Sequence, residues 1–250
     1  MSFNPFSLAG RRVLVTGASS GIGRQIAISS ANMGATVIVT GRDVQRLEET
    51  RAQLIGVDHH VIAADLLQAD DISRLAAEVG EIHGLVHSAG IAKLVPFHMI
   101  SPKHFDEVIG VNLRAPLLLT RALLAKKAVQ PGGSIVFVGA VASEVGPVAT
   151  AVYSASKAAL LGAARSLALE VAKHKIRANV VAPGYVRTPL IDDLGRTGAS
   201  IDELLDITPL GLGEPEDVAN AVVFLLSEAS RWMTRALLIA DGGLTTRLSV

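Results

Sequence analysis

Tyr153 and Lys157 are the two residues whose types and spacing best suit proton transfer, because they stand four positions apart. They lie in residues 151–172, whose alanine-, leucine- and serine-rich composition favours a helix with both side chains on one face. A free tyrosine titrates near about pH 10, and a neighbouring ammonium lowers that pKa by favouring the phenolate. Tyr153 is then expected to act as general acid or general base. The competing interpretation is a lysine stem that packs on an exposed aromatic ring.

A glycine-rich turn is predicted between the first strand and the first helix. It reads Thr16, Gly17, Ala18, Ser19, Ser20, Gly21, Ile22 and Gly23. The first glycine permits a tight turn, and the later ones let backbone N–H groups at a helix N-terminus approach a pyrophosphate. A purely structural turn also uses glycine, but the position after the first strand favours a dinucleotide site.

Arg42 bears on which dinucleotide is bound. An acidic residue at the end of the second strand would bond a ribose 2′-hydroxyl and repel a 2′-phosphate. Here Arg42 follows the strand, and a guanidinium pairs bidentately with phosphate. Asp43 complicates this charge pattern, but its place before a helical run suits an N-cap. The sequence therefore favours NADP(H) over NAD(H).

The elements that would position these residues alternate between short β-branched runs and segments of helical period. Strands are predicted near residues 12–16, 36–40, 60–64, 84–87, 134–139, 177–182 and 237–240. That alternation predicts an α/β fold with a single Rossmann-type, doubly wound parallel sheet of seven strands. Residues 1–250 are interpreted as one domain, with a lid near residues 189–215. Ligands in such folds bind beyond the carboxyl ends of the strands.

Composition narrows the class of partner. The chain has 250 residues, no cysteine and a formal net charge of 0, so disulfides and thiolate metal sites are excluded and no metal site is predicted. Neutral charge gives no reason to expect nucleic acid or an anionic membrane. No uninterrupted apolar run approaches the roughly 18 residues of a membrane span, and the first ten residues do not resemble a secretory signal. A cytoplasmic protein with a small-molecule partner is expected.

The glycine spacing after a threonine resembles that of the classical short-chain dehydrogenase/reductase family. Further matches cover nearly the whole chain: Asp65-Leu66, Ser88-Ala89-Gly90, Asn112, Tyr153 with Lys157, Pro183-Gly184 with Thr188, and Asp241-Gly242-Gly243. The resemblance implies an NADP(H)-dependent oxidoreductase that moves a hydride between a nicotinamide ring and a carbonyl or alcohol carbon. It also implies that an oxidised nicotinamide helps to lower the Tyr153 pKa.

The resemblance assigns roles to several residues. Asp65 would hold the adenine amine, Gly90 would pass close to the ribose, and the turn at 183–188 would grip the nicotinamide amide. Lys157 would reach the ribose hydroxyls, and the backbone of Asn112 would hold a water that feeds protons to it. Plainer interpretations are a helix cap for Asp65, an ordinary turn at 183–184, and a helix-start residue for Asn112. The predicted cofactor site comprises Gly17, Ser19, Ser20, Gly21, Ile22, Gly23, Arg42, Asp65, Leu66, Ser88, Ala89, Gly90, Tyr153, Lys157, Pro183, Gly184, Val186 and Thr188.

Ala140 is the largest departure from the family pattern, because the family has a catalytic serine thirteen positions before the tyrosine. Three interpretations are open: an engineered substitution in a natural sequence that reads Gly-Ser-Val-Ala, a hydroxyl supplied by Ser143, or a subunit that binds cofactor without turnover. The intact Tyr153, Lys157 and Asn112 favour the first. On that interpretation Ala140→Ser should raise turnover about 10²–10³-fold. His87, where the family usually has asparagine, is interpreted as a structural imidazole bonded to a neighbouring backbone group.

The 3-oxoacyl-[acyl-carrier-protein] reductases are the subfamily that the chain most resembles. The predicted substrate wall is mainly apolar: Leu94, Val95, Pro96, Phe97, Val145, Pro147, Tyr185, Leu190 and Ile191. It favours a fatty or ring-bearing carbonyl, including an acyl thioester on acyl carrier protein. Lys126-Lys127 and Lys173-His174-Lys175 would meet the acidic carrier or, equally well, complement helix dipoles. Alternatives are an alcohol, polyol or steroid-type dehydrogenase and a non-catalytic cofactor-binding subunit. The helices at 113–127 and 151–172 resemble those that pair in family homodimers and homotetramers.

Overall fold

A computed structural model of the chain describes residues 4–189, 191 and 201–249. Its strands are β1 Arg12–Thr16, β2 Thr36–Gly41, β3 His60–Ala63, β4 Ile82–His87, β5 Val129–Val138, β6 Arg177–Pro183 and β7 Leu237–Ala240. They form one parallel sheet in the order β3-β2-β1-β4-β5-β6-β7. The predicted Rossmann-type fold is confirmed. Part of the predicted lid, residues 190 and 192–200, lies outside the described residues, and so does the predicted wall residue Leu190.

The helices fall between the strands as the alternating pattern predicts. They are α1 Gly21–Asn32, α2 Val44–Arg51, α3 Ala69–Glu78, α4 Pro102–Ile109, α5 Ala115–Ala125, α6 Ala142–Val145, α7 Ala151–Val171, α8 Ile201–Ile207 and α9 Pro215–Leu226. A π-helical turn, Gly110–Arg114, joins α4 to α5. Strand β5 begins five residues before its predicted start, at Val129. Its first half contains Pro131 and two glycines, which disguise the strand pattern, and its register against β4 shifts there.

Side-chain alternation along the strands builds a core on each face of the sheet. Leu14, Leu85 and Ile135 point to one face, where they pack with residues of α3, α5 and α7. Val15 and Val136 point to the other face and pack with residues of α1, α2 and α9. Both faces of a parallel sheet are therefore covered by helices, as in other doubly wound folds.

The continuous helical stretch Pro102–Ala125 is long and apolar enough, by length and composition, to cross a membrane. The stretch contains no long uninterrupted apolar run, because polar residues, including the pairs Lys103-His104 and Asp106-Glu107, divide it. In the structure Ala115, Leu119 and Leu123 belong to the core between this helix and the sheet. The stretch therefore packs as a core helix of the fold.

Strands β1 and β4 are neighbours although they are not consecutive, so the chain leaves them in opposite directions at their carboxyl ends. This is the topological switch point, where open α/β sheets bind ligands. Thr16 ends β1, and its hydroxyl oxygen accepts hydrogen bonds from the backbone N–H groups of Ser88 and Ala89, each at 3.2 Å. The two loops that follow β1 and β4 are thus fixed to each other at the site.

Candidate active site

A cleft of about 760 Å³ opens along the carboxyl edge of the sheet. Its size lies within the range of about 300–1,000 Å³ that is typical of small-molecule sites. Every predicted cofactor residue lies in its wall, contributed by the segments that follow β1 to β6 and by α7. Asn112 does not line the cleft and is buried behind it.

The glycine-rich turn brings two backbone segments into a contact that side chains would prevent. A Cβ on Gly17 would lie 2.6 Å from the Cα of Ala89, and Gly17 also has a positive φ of 67°. A Cβ on Gly23 would lie 2.2 Å from the carbonyl oxygen of Gly17. Ser20, the N-cap of α1, makes no side-chain capping bond. The first N–H groups of α1 therefore remain for an anion in the cleft, and this cradle fits the pyrophosphate of a dinucleotide.

Two exposed arginines, Arg42 and Arg46, lie in the cleft wall next to this turn. Among the described residues, neither guanidinium forms an ion pair or a hydrogen bond. Asp43 accepts a hydrogen bond from the backbone N–H of Arg46 at 3.1 Å, which confirms it as the N-cap of α2. Arg24 is instead occupied, since it donates to the Ser19 carbonyl at 2.6 Å. Sequence reasoning missed Arg46, although its place in the first turn after Asp43 would have indicated it.

Asp65 and Gly90 both line the cleft, Asp65 after β3 and Gly90 after β4. The Asp65 carboxylate accepts from the N–H of Leu67 at 3.0 Å, whereas the N-cap residue of α3 is Gln68. The helix-cap interpretation of Asp65 is therefore wrong. A Cβ on Gly90 would lie 3.3 Å from Nζ of Lys157, so the glycine leaves room for that ammonium. The contacts of Asp65 and Gly90 with adenosine stay predictions.

Tyr153 and Lys157 lie on the first two turns of α7 and face the cleft together. Lys157 is 6% exposed, and its Nζ donates to the carbonyl of Val138 at 2.8 Å. Nζ lies 5.9 Å from the centre of the Tyr153 ring. The ammonium is therefore a buried, oriented group, and the interpretation as a lysine stem on an exposed ring is wrong.

The expectation that Lys157 by itself lowers the Tyr153 pKa is also wrong. Burial raises the pKa of the Tyr153 phenol to about 12 and lowers the pKa of Lys157 to about 8. Both shifts disfavour the charged form, because the protein replaces water around each group. Nζ makes its hydrogen bond to Val138 rather than to the phenol oxygen. At neutral pH the phenol is therefore protonated, as the donor in the reductive direction must be, but its raised pKa makes it a weaker acid than a free phenol.

Asn112 lies within the π-helical turn between α4 and α5, so it does not begin a helix as the plainer interpretation supposed. Its side chain accepts from the N–H of Ile91 and donates to the carbonyl of Ile91, both at 2.9 Å. It also donates to the hydroxyl of Ser156 at 3.1 Å. Asn112 thus ties the loop after β4 to α7. Its predicted backbone-bound water stays a prediction.

Ala140 follows β5 and lies in the cleft wall, where the family serine would stand. Ser143 does not take over that role. Its hydroxyl donates to the carbonyl of Ala140 at 2.8 Å, and its side chain is absent from the described cleft wall. The interpretation that Ser143 replaces the serine is therefore not supported by the geometry.

The turn after β6 lies beside the glycine-rich turn, since a Cβ on Gly21 would lie 3.3 Å from Cγ2 of Thr188. Pro183, Gly184, Val186 and Thr188 all line it. A Cβ on Gly184 would lie 2.8 Å from the Cα of Asp241, so glycine is required here for a close backbone approach. The Asp241 carboxylate in turn accepts from backbone N–H groups of its own loop. The turn at Pro183-Gly184 therefore packs closely against the Asp241 loop and is not an ordinary surface turn.

The substrate end of the cleft has mainly apolar walls. Five predicted residues lie in them: Leu94, Val145, Pro147, Tyr185 and Ile191. Val95, Pro96 and Phe97 do not, and Phe97 is 80% exposed, because this loop turns outward before α4. Further apolar wall residues that sequence reasoning missed are Val148, Leu204 and Leu244. Val148 directly follows the predicted wall residue Pro147, whereas Leu204 and Leu244 come from distant parts of the chain, so no local pattern could indicate those two.

His87 is a buried imidazole held on one side only. One ring nitrogen bonds the hydroxyl of Thr120 at 2.8 Å, and the ring stacks on Phe137 with centroids 4.9 Å apart. The predicted bond to a backbone group is therefore wrong, although the structural role holds. The other nitrogen, Nδ1, has no partner among the described residues. Burial lowers the pKa of His87 to about 3.

His87 should make the fold sensitive to acid. Its pKa falls from 6.5 to about 3 on folding, so its contribution to stability is present above pH 6.5 and is lost as the pH falls toward 3. In this range the free energy of unfolding falls by about 1.4 kcal/mol per pH unit. Between about pH 6.5 and pH 4.5, the free energy of unfolding of the unaltered chain should fall by about 2–3 kcal/mol more than that of His87→Asn. Urea unfolding at several pH values measures this difference, with the exposed His98→Asn as control. Equal pH dependence in the unaltered chain and His87→Asn would contradict it.

Comparison with known proteins places the chain among oxidoreductases. A family model described as enoyl-(acyl carrier protein) reductase matches residues 17–245. A 3-oxoacyl-[acyl-carrier-protein] reductase of Aquifex aeolicus is 36% identical over 245 residues, covering 95% of this chain and 98% of that protein. A gluconate 5-dehydrogenase of Gluconobacter oxydans is 31% identical, covering 97% and 98%. A structure described as an NAD(P)-dependent gluconate 5-dehydrogenase of Beutenbergia cavernae, with NADP bound at low occupancy, has a TM-score of 0.91 at 35% identity and covers 97% and 100%.

Proposed function

The chain belongs to the classical short-chain dehydrogenase/reductase family, and on that premise we propose that it is an NADP(H)-dependent ketoreductase with Tyr153 as proton donor. One observation carries the proposal. A neutral phenol and an oriented ammonium face the same cleft as an uncapped helix N-terminus and two unpaired arginines. The fold thus brings three groups from distant segments of the chain into one cleft: a proton donor, a cradle for phosphate and cations that can bind phosphate.

Each group of the chain has a defined task in the proposed reaction. NADPH, when bound, supplies the hydride. The N–H groups of α1 hold its pyrophosphate, and Lys157, fixed by the Val138 carbonyl, orients the ribose hydroxyls. Tyr153 holds a proton at its Oη and passes it to the substrate oxygen as negative charge develops there. The apolar wall excludes water around this transfer.

Arg42 and Arg46 support NADP(H) as the cofactor. Both guanidinium groups are exposed and unpaired among the described residues, at the side of the cleft where β2 ends. A dianionic 2′-phosphate there would receive charge-assisted hydrogen bonds that a 2′-hydroxyl would not. The structurally similar protein of Beutenbergia cavernae contains NADP, which is consistent with this choice.

The wall chemistry favours an uncharged, apolar carbonyl substrate. Apart from Lys157, the described substrate end contains one charged side chain, Glu107, which is paired with Lys93. A sugar acid would need a free cation there. A ring-bearing ketone or the chain of a 3-oxoacyl thioester would match the apolar walls better. A general alcohol or steroid-type dehydrogenase is the nearest alternative within the same chemistry.

The position of the basic residues argues against carrier docking beside the cleft of the same chain. Lys126-Lys127 precede β5 and Lys173-His174-Lys175 precede β6, so both groups lie at the amino edge of the sheet. The cleft lies at the opposite, carboxyl edge. We also propose a homodimer or homotetramer through the helices at 113–127 and 151–172, on the second of which the apolar Leu169 is 62% exposed.

A substrate panel tests the proposed function. The chain is mixed with NADPH and, separately, with 3-oxoacyl-CoA, α-tetralone and 5-ketogluconate, and NADPH oxidation is followed. We expect kcat/KM for the best apolar carbonyl to exceed that for the sugar acid by at least about tenfold. Preference for the sugar acid would contradict the substrate class. Tight NADPH binding with no oxidation of any substrate would favour a non-catalytic cofactor-binding subunit.

A further inference from the structure

The missing serine raises the question of which hydroxyl meets the substrate oxygen beside Tyr153. Besides Tyr153, the described cleft wall formed by α7 and the segments after β5 and β6 contains three hydroxyl groups: Thr150, Tyr185 and Thr188. Thr150 is bonded to the Pro147 carbonyl and to the Ser154 hydroxyl. Thr188 donates to the Val186 carbonyl at 3.2 Å. Of these three hydroxyl groups, only that of Tyr185 lacks a hydrogen-bond partner among the described residues.

Tyr185 stands close to the segment that contains Ala140, because β5 and β6 are paired neighbours. Just beyond them, the N–H of Val141 donates to the carbonyl of Pro183 at 2.9 Å. The Tyr185 ring packs against the small buried cluster of Val141, Ala182 and Leu244. A half-buried phenol therefore packs against the cluster that contains Val141, the residue next to Ala140, and lines the same cleft as Tyr153.

We propose that the Tyr185 hydroxyl donates the second hydrogen bond to the substrate carbonyl oxygen, in place of the serine that the family has at position 140. The inference rests on the proposed ketoreductase function. Tyr153 transfers its proton to the oxygen, whereas Tyr185 keeps its own and only stabilises the developing negative charge. Burial raises the pKa of Tyr185, so the phenol stays protonated and able to donate.

This inference changes the expectation for Ala140→Ser. If the site already contains a second donor, a serine hydroxyl at position 140 adds little to the unaltered chain, and turnover should rise by less than about fivefold. The large gain of about 10²–10³-fold should then appear only where Tyr185 has been removed as donor. The two substitutions are therefore expected to be strongly non-additive.

The test compares five proteins: the unaltered chain, Tyr185→Phe, Ala140→Ser, Ser143→Ala, and Tyr185→Phe combined with Ala140→Ser. We expect Tyr185→Phe to lower kcat for the best carbonyl about 10²-fold while the Kd of NADPH stays within about twofold. The added serine should restore most of that loss. Ser143→Ala, whose hydroxyl bonds the backbone outside the cleft wall, should retain turnover. Retention of more than about a third of kcat by Tyr185→Phe would overturn the inference and leave the proposed function standing.

A binding measurement keeps the inference testable if the unaltered chain turns over no carbonyl, a result that would defeat the proposed function alone. The Kd of α-tetralone for the complex with NADP⁺ is then measured by calorimetry. We expect Tyr185→Phe to weaken this binding about threefold or more, because one hydrogen bond to the ketone is lost. Equal affinity of both proteins would overturn the inference.

Discussion

Replacing Tyr153 with phenylalanine should lower kcat by about 10³-fold or more, within the range of about 10²–10⁴-fold that a general acid contributes. Only the phenolic hydroxyl is removed, so the ring still fills its place on α7 beside Lys157. The Kd of NADPH should therefore stay within about twofold of the starting value. Steady-state kinetics with the best carbonyl of the panel, together with NADPH titration by fluorescence, measures both quantities.

Lys157→Ala is the informative companion of that variant. Nζ is fixed by the Val138 carbonyl and lies beside Gly90, so its loss should weaken cofactor binding as well as turnover. The two variants thus separate the proton donor from the residue that orients the cofactor. A Tyr153→Phe protein that retained more than about a tenth of the starting rate would show that another acid protonates the substrate.

Replacing Arg42 and Arg46 together with alanine should erase the preference for NADPH. The unaltered chain should bind NADPH at least about tenfold more tightly than NADH, since one charge-assisted hydrogen bond contributes about 1.5–3 kcal/mol. Arg42→Ala alone should remove most of that gap, and the double variant should remove the rest while leaving the Kd of NADH nearly unchanged. Calorimetric titration of the three proteins with each cofactor at one ionic strength measures the six affinities.

Arg51→Ala is a matched control, because it removes one positive charge from α2, the helix that also contains Arg46. Arg51 is paired with Glu48 at 2.6 Å and does not line the cleft. It should therefore change the two cofactor affinities equally and little. Equal affinity of the unaltered chain for NADPH and NADH would refute the role of Arg42.

The fold could be predicted from the sequence because its signals are local. Strands β1, β2 and β6 are β-branched runs bounded by turn residues, and the glycine-rich turn indicates where β1 ends and α1 begins. Two strands begin earlier than predicted: β4 by two residues, at Ile82, and β5 by five, where Pro131 and its neighbouring glycines obscure the pattern. Asp43 was predictable as an N-cap for the same reason, since capping depends on residues within one turn.

The properties of the site depend on contacts between distant segments, which local patterns do not show. The Tyr153 pKa was expected to fall because Lys157 is near in sequence, yet burial by the surrounding elements dominates and raises it. Ser143 was a plausible donor by position alone, but its hydroxyl turns to its own backbone. Tyr185 gained significance only when the pairing of β5 with β6 placed it beside the Ala140 segment.

Transfer of deuterium from the nicotinamide ring of labelled NADPH to a ketone tests the central claim most directly. The unaltered chain is incubated with α-tetralone and NADPH that carries deuterium in both positions at C4 of the nicotinamide ring, and the alcohol is analysed by mass spectrometry. We predict one deuterium on the carbinol carbon for each NADPH consumed, with no labelled alcohol from Tyr153→Phe above the uncatalysed level. Tight and selective NADPH binding without labelled alcohol from any carbonyl of the panel would contradict the account.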